Sequence, residues 1–389
     1  MMKLITAYTY ELNNHEKARQ DIHSQLDLKN NLLKNSAALI FCHAKFNETG
    51  VSNTVSESLP FAAVGCTSQN FALSSGPGMP AVTGEILLAV TVFTSDDIEF
   101  AAALSDPLCG GNAEDAVQSM YKNAVSSFGE SSLIFAFFPT MADMTSDILA
   151  DALYRVCGET PVFGSVALDM EITTRNPATL FNGHSYNDRA ALLLVKGSIK
   201  PKFFSFLFPG KSVVTEDIII TAASGNRITA INNKSAVSFI ESLGLLKDGN
   251  FTPAIPLIVE NPGGAGSMPV IIYGIDGETL VCSRKIQVGG SVGVGMVSRD
   301  KVAETMDALI RDIKQEQSGE NLFIVSCALR FLALEGSPAT ELDSLQQNLK
   351  DFPGRYLYIS SAGEICPSLM PSGKTINGLH QYALVAVKL

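Results

Sequence analysis

Arg330 and Glu364 are the residues of this chain with the clearest chemical potential. Each stands just past an apolar run: Leu322-Phe323-Ile324-Val325-Ser326-Cys327-Ala328-Leu329 leads to Arg330, and Tyr356-Leu357-Tyr358-Ile359-Ser360-Ser361-Ala362-Gly363 leads to Glu364. A charge left unpaired at the end of a buried strand is costly, so each needs a partner. A guanidinium offers paired N–H donors to a carboxylate, and a carboxylate accepts from an ammonium. Set among Ser, Ala and Gly, which leave room, the two suit a small ligand that is amino-acid-like. The structural alternative pairs Arg330 with Glu364 itself or with Glu341.

Nucleophilic chemistry would fall to Cys66, Cys327 or Cys366, each at a strand end, with His43, His184 or His380 as base. Such a pair would make a Cys-dependent hydrolase, provided a third group oriented the base. Residue spacing does not establish such a group, and a small side chain filling a strand end is the simpler reading, so a non-catalytic binding module is expected. No C-x-x-C, G-x-S-x-G or H-E-x-x-H pattern occurs. The run Gly289-Gly290-Ser291-Val292-Gly293-Val294-Gly295 neither follows a strand into a helix nor precedes a Walker Lys-Ser/Thr, so it is not read as a nucleotide loop. Haem needs an axial ligand, for which His43, His184 and His380 are candidates, while His15 and His23 lie on a polar segment. No cofactor is expected.

Strands must position these residues, and they come as a repeat. Ala37–His43, Phe61–Ser68 and Glu85–Phe93 form one copy; Leu133–Phe138, Pro161–Ala167 and Ala190–Val195 a second; the two C-terminal runs with Gln381–Val387 a third. Each copy reads strand, helix, strand, small-residue turn, excursion, strand, with a period too long for a solenoid. The fold class expected is α/β, with mixed sheets covered by helices and the strand ends meeting in one ligand cleft. From Ile199 the pattern turns to short alternating strands, so two α/β halves are expected, residues 1–198 and 199–389. Helices are expected over Asn13–Lys34, Asn112–Phe128, Ser146–Cys157, Ser235–Leu243 and Lys301–Glu316, and a tight turn at Ala223–Asn226. Irregular loops are expected at Ser74–Pro80, crossing the strand ends, and at Asn261–Gly266.

Composition narrows the class. In 389 residues, 46% are hydrophobic and only 17% charged, enough for large cores. A net charge of −11 without clustered Lys and Arg disfavours nucleic acid. No apolar run is long enough for a membrane span, and the one before Glu11 is too short for a signal peptide, so a cytoplasmic location without membrane association is expected. Seven scattered cysteines read as small core residues of a reducing compartment.

Several pieces together resemble the FIST proteins, sensory modules with a FIST N and a FIST C half. They are Val64-Gly65-Cys66-Thr67-Ser68; Val162-Phe163-Gly164-Ser165-Val166-Ala167 with Phe181-Asn182-Gly183; Gly225-Asn226-Arg227-Ile228 with Ala236 and Leu243-Gly244; Ser326-Cys327-Ala328-Leu329-Arg330 with Glu341; and Ser361-Ala362-Gly363-Glu364-Ile365-Cys366-Pro367 with Asn377. The resemblance covers most of the chain. It implies a cytoplasmic ligand sensor, with amino acids among the proposed ligands, whose output comes from a separate signalling protein such as a kinase, cyclase or chemoreceptor. Some members bind haem and sense nitric oxide, which makes a haem-based sensor a further alternative. The small-residue turns bring Gly65, Cys66, Gly164, Ser165 and Ser361 to the expected site beside Arg330 and Glu364, and the resemblance adds Glu341 and Asn377. Two departures stand out: Gln69-Asn70-Phe71 replaces a common Gly-Glu pair, and the stretch before Asp276-Gly277 lacks the usual Arg.

Overall fold

The computed structural model describes residues 2–74, 76, 81–109, 111–141, 144–169, 177–207, 218–247, 250–251, 254–260, 267–316, 321–333, 339–369 and 375–389. The sequence repeat becomes three α/β units of one topology. The first contains β1 (Lys3–Thr9), α1 (His15–Leu26), β2 (Asn35–Cys42), α2 (Val51–Glu57), β3 (Ala63–Thr67), a hairpin of β4 (Gln69–Ser74) and β5 (Val82–Gly84), and β6 (Leu88–Ser95). The second contains β7 (Glu99–Leu104), α3 (Ala113–Phe128), β8 (Leu133–Phe138), α4 (Ser146–Cys157), β9 (Val162–Val166), a hairpin of β10 (Thr179–Phe181) and β11 (His184–Tyr186), and β12 (Ala191–Lys196). The third contains β13 (Lys202–Phe206), α5 (Arg299–Gln315), β14 (Asn321–Cys327), α6 (Ala328–Ala333), α7 (Ala339–Leu349), β15 (Arg355–Ser361), a hairpin of β16 (Glu364–Leu369) and β17 (Thr375–His380), and β18 (Leu384–Lys388). In every unit four strands lie in the order first, last, second, third, with the second and third parallel.

The hairpin of each unit leaves its own sheet and extends another. β4 pairs with β15, β10 with β3, and β16 with β9, so the three exchanges close a cycle. The 198/199 division falls between β12 and β13, yet these pairings cross it: β4 lies in the sheet of the third unit and β16 in that of the second. The chain is thus three interlocked units rather than two separable halves.

The apolar runs follow from burial of both sheet faces. Along β8, Leu133, Phe135 and Phe137 enter a core shared by all three sheets, while Ile134, Ala136 and Phe138 pack outward against α3 and α4. Phe93, Phe135 and Phe323, one from each unit, meet at centroid distances of 5.4 to 5.9 Å. Separate outer cores lie under the helices of the first and third units. Gly65 and Gly164 occupy positions where a Cβ would come within 1.7 and 1.8 Å of the Ile40 and Ala136 carbonyl oxygens, so only glycine fits.

Of the short strands expected after Ile199, Phe203–Leu207 becomes β13 of the third unit, and the others belong to a module inserted between β13 and α5, with its own core around Ile220, Ile228, Ile240 and Leu280. Its Ala223–Asn226 turn has Ser224 opposite Arg227 and Gly225 at φ 59°. The module docks on the third unit where Ile271 and Val297 meet Val302 and Tyr382. Helix limits agree with expectation to within a residue or two, except that the segment expected over Asn13–Lys34 breaks at Asp27, which takes φ 43° and ends α1. The Asn261–Gly266 loop, and Ser75 and Pro77–Pro80 of the other, lie outside the described residues.

Candidate ligand site

The strand ends of the three units do converge, through a chain of hydrogen bonds. Cys66 Sγ donates to Ser165 Oγ at 3.7 Å, Ser165 Oγ to Ser361 Oγ at 2.9 Å, and Ser361 Oγ to the Gly363 carbonyl at 2.5 Å. All three side chains are buried. The cavity nearest them, lined by Phe135, Phe163, Gly164 and Ser165 among others, is about 10 Å³, no more than one water occupies. The expected cleft is therefore a closed seam at this point. Gly363 differs from Gly65 and Gly164: it sits in the turn before β16, and a Cβ there would meet only side chains, at 3.1 Å and beyond, before the His380 carbonyl at 3.6 Å.

Arg330, on α6 directly after β14, is wholly buried and is paired with Glu341 of α7. Its Nε and Nη2 donate to Glu341 Oε1 at 2.8 and 2.6 Å, and Nη2 also reaches Thr305 Oγ1 at 2.8 Å. Glu341 Oε2 accepts from Ser326 at 2.7 Å and Tyr358 at 2.8 Å. The paired-donor grip expected to hold a ligand carboxylate is thus taken by Glu341, whose own oxygens are fully used by the protein. Arg330 Nη1 alone has no partner among the described residues.

Glu364 is the opposite case. It is 0% exposed, and neither carboxylate oxygen has a partner at full hydrogen-bond geometry among the described residues, although the Ala383 N–H and the Cys327 thiol come near enough to favour its charged form. Burial pushes its carboxyl well above the usual glutamate range, outweighing the Ala383 N–H, the Arg330 charge and the Cys327 thiol, which all favour ionisation. The fold does not require this. Glu364 is the first residue of its exchanged hairpin, and the residues in that place in the other two are satisfied: Gln69 donates to Glu85 at 2.8 Å, and Thr179 to the Arg189 carbonyl at 2.7 Å.

Around Glu364 stand groups that sequence reasoning did not bring together. Burial, then the Glu364 charge, pushes the Cys327 thiol up. Tyr382, read from the sequence as the start of a strand, lies in the bend before β18 at φ 55°, a backbone region that side chains other than Gly rarely adopt and that tends to mark functional positions. Its phenol is pushed up by burial and then by Cys327 and Tyr273. Tyr273, from the inserted module, is 60% exposed while its phenol is pushed up to about 12, first by burial and then by Cys327 and Asp147. The two observations agree when the ring lines a recess, open to water but with protein crowded about the hydroxyl. A cavity of about 20 Å³ does lie there, lined by Tyr273, Ser283, Gln381 and Ala362 among others. Ser283 Oγ donates to Gln381 Oε1 at 2.6 Å and ties the module to the bend carrying Tyr382.

Asn377 lies three residues along the hairpin from His380, the partner of Glu364, roughly 10 Å by strand rise. Its Oδ1 accepts from the Val162 N–H at 2.8 Å and its Nδ2 donates to the Thr160 carbonyl at 2.8 Å. Asn182 holds the Ala63 N–H in the same way at 2.9 Å. Both are clamps at the start of a strand, and the paired sequences Phe181-Asn182-Gly183 and Ile376-Asn377-Gly378 were the legible sign of it. Of the histidines, His43 caps the Ala44–Glu48 helix, His184 stacks on Tyr186, and His380 Nε2 lies 2.9 Å from Ser368 Oγ and 3.1 Å from the Cys366 carbonyl.

Three α/β units are thus tied by exchanged hairpins, and the buried carboxyl of Glu364 lies at one of the junctions between them. The FIST N domain matches residues 36–234, and the chain belongs to the FIST family, a family of ligand-binding sensory domains in signalling. No curated protein matches the sequence. Among solved structures, a cyanuric acid hydrolase from A. caulinodans is similar at 8% identity, over 100% of this chain and 98% of that chain, with a TM-score of 0.36. A likeness that loose carries no inference about activity. No helix among the described residues is long and apolar enough to cross a membrane.

Proposed function

We propose that the chain is a non-catalytic small-molecule sensor that binds an amino-acid-like ligand at the junction of Glu364, Cys327, Arg330 and Tyr382. The observation that carries this reading is Glu364, a fully buried carboxyl with neither oxygen at full hydrogen-bond geometry among the described residues. A ligand ammonium would supply the missing donors and return the group to its charged form. The ligand carboxylate would take one bond from Arg330 Nη1 rather than a paired grip. Binding rather than catalysis is supported by the thiols: burial pushes Cys66 up to about 12 and raises Cys327 and Cys366 as well, the reverse of an activated nucleophile. The cytoplasm is the proposed location, and the output is proposed to pass to a separate signalling protein such as a kinase, cyclase or chemoreceptor.

A thermal-shift screen of amino acids and related amines tests the proposal, because a ligand that binds only the native state raises its stability. Calorimetric titration of the hit with Glu364→Gln should show affinity lower by roughly 30-fold or more, the effect of removing one partner from a desolvated charged contact. Unaltered affinity in that variant would remove Glu364 from the site.

A further inference from the structure

Between α4 and the inserted module lies a crevice of about 320 Å³, lined in part by Asp147, Asp151, Glu114, Asn226 and Lys285, a volume in the range of small-molecule pockets. Asp147 and Asp151 are one helical turn apart on α4. Asp147 is 8% exposed. Its Oδ2 accepts from the Lys285 N–H of the module at 3.0 Å, while Oδ1 is buried without a partner among the described residues. The Asp151 carboxyl is raised, first by the protein crowded about it and then by the neighbouring Asp147 charge, although the residue as a whole is exposed. One internal cation serves both: Arg284, 9% exposed, whose Nη2 donates to the Leu379 carbonyl at 3.3 Å. Arg155 is paired with Glu114 and also favours the charged form of Asp151, and Lys285, like Asp151, is exposed at the rim. The crevice thus gathers three acids, Glu114, Asp147 and Asp151, and three bases, Arg155, Arg284 and Lys285, and the atom among them left without a partner among the described residues is the buried Asp147 Oδ1. Calcium or magnesium is a poor fit, since each wants six or more oxygen ligands, and no group of three or more acidic, His or Cys side chains suited to a metal exists among the described residues.

We infer that this crevice is a second binding site, for a small organic cation whose ammonium or guanidinium N–H groups meet Asp147 Oδ1 and Asp151. Because Asp147 also holds the module through Lys285, an occupant would bridge α4 and the module across their seam. This inference stands apart from the Glu364 reading.

Titration of the full chain with agmatine, which carries a guanidinium at one end and an ammonium at the other, is the test, with butane-1,4-diol as the uncharged control. Saturable binding of agmatine and none of the diol is expected. Asp151→Asn, which removes a charge and no structural hydrogen bond recorded among the described residues, should weaken binding by about tenfold or more. Asp147→Asn should weaken it at least as much, and Asp151→Asn carries the test if loss of the Lys285 anchor prevents Asp147→Asn from folding. No saturable binding by the wild-type chain, equal binding of the diol, or agmatine affinity indifferent to the Asp substitutions would overturn the inference. Loss of agmatine binding in Glu364→Gln with retention in Asp151→Asn would assign the cation to the other site and overturn it equally.

Discussion

Glu341→Gln is expected to destabilise the protein. The Glu341 carboxylate accepts four hydrogen bonds, two from Arg330 on Oε1 at 2.8 and 2.6 Å and one each from Ser326 and Tyr358 on Oε2 at 2.7 and 2.8 Å. An amide accepts on one side only and turns N–H groups toward donors on the other, so part of this set is lost in either orientation. Arg330 would keep its charge in a place that is 0% exposed. Breaking a buried pair from one side costs about 3–5 kcal/mol. With an unfolding entropy of about 2.1 cal/mol/K per residue, a chain of this length has about 0.8 kcal/mol/K, so the melting temperature should fall by about 4–6 °C. Differential scanning calorimetry reads this directly. The double variant Arg330→Met, Glu341→Leu should recover most of the loss, because the charge leaves together with its partner. A single Glu341→Gln variant that melts with the wild type, or a double variant no better than the single, would refute the assignment of the pair to structure.

The ligand-free Glu364→Gln variant should be more stable than wild type at neutral and alkaline pH. A carboxyl raised in the folded state contributes stability that is fully present below its ordinary value of 4.5 and is lost as pH rises toward the folded value, so the melting temperature should decline less with pH in the variant; parallel profiles would count against a buried, unmet carboxyl. Phe135→Ala, opening the contact of three rings from three units, should cost about 3–5 kcal/mol in chemical denaturation, and a loss below about 1 kcal/mol would show that the shared core is not continuous there. Gly164→Ala would place a Cβ 1.8 Å from the Ala136 carbonyl oxygen and should cost at least the roughly 1–3 kcal/mol typical of overpacking; wild-type stability in that variant would mean that β8 and β9 lie farther apart.

The units were legible in the sequence because both faces of their sheets are buried, which turns each strand into an unbroken apolar run such as Leu133–Phe138. Helices were legible through their punctuation: α4 starts and stops where Ser146 and Cys157 were expected, with Gly158 beyond. The exchange of hairpins was not, because nothing local in Gln69–Ser74 states that its partner is Arg355–Ser361; that pairing is decided by packing far along the chain. Arg330 and Glu364 were found by their charge, but which would be satisfied depended on where α7 delivers Glu341. Tyr382 was hidden in what reads as strand, since an aromatic residue gives no sign of a left-handed backbone. Tyr273 and Asp147 reach the region from different elements, brought near by the docking of the inserted module, a relation that residue spacing cannot express.

The closed ring of exchanged hairpins imposes an order on synthesis at the ribosome. The edge of β9 waits for β16, Ser165 pairing with Glu364, and β4 waits longer still, Gln69 pairing with Ser360, separations of about 200 and about 290 residues. At about 5–20 residues per second these gaps are roughly 10–60 s. For that time a nascent chain carries unpaired strand edges rich in apolar residues, the kind of surface on which other chains add. Translation speed and chaperone supply, rather than native stability alone, should therefore govern how much of this protein reaches its folded form.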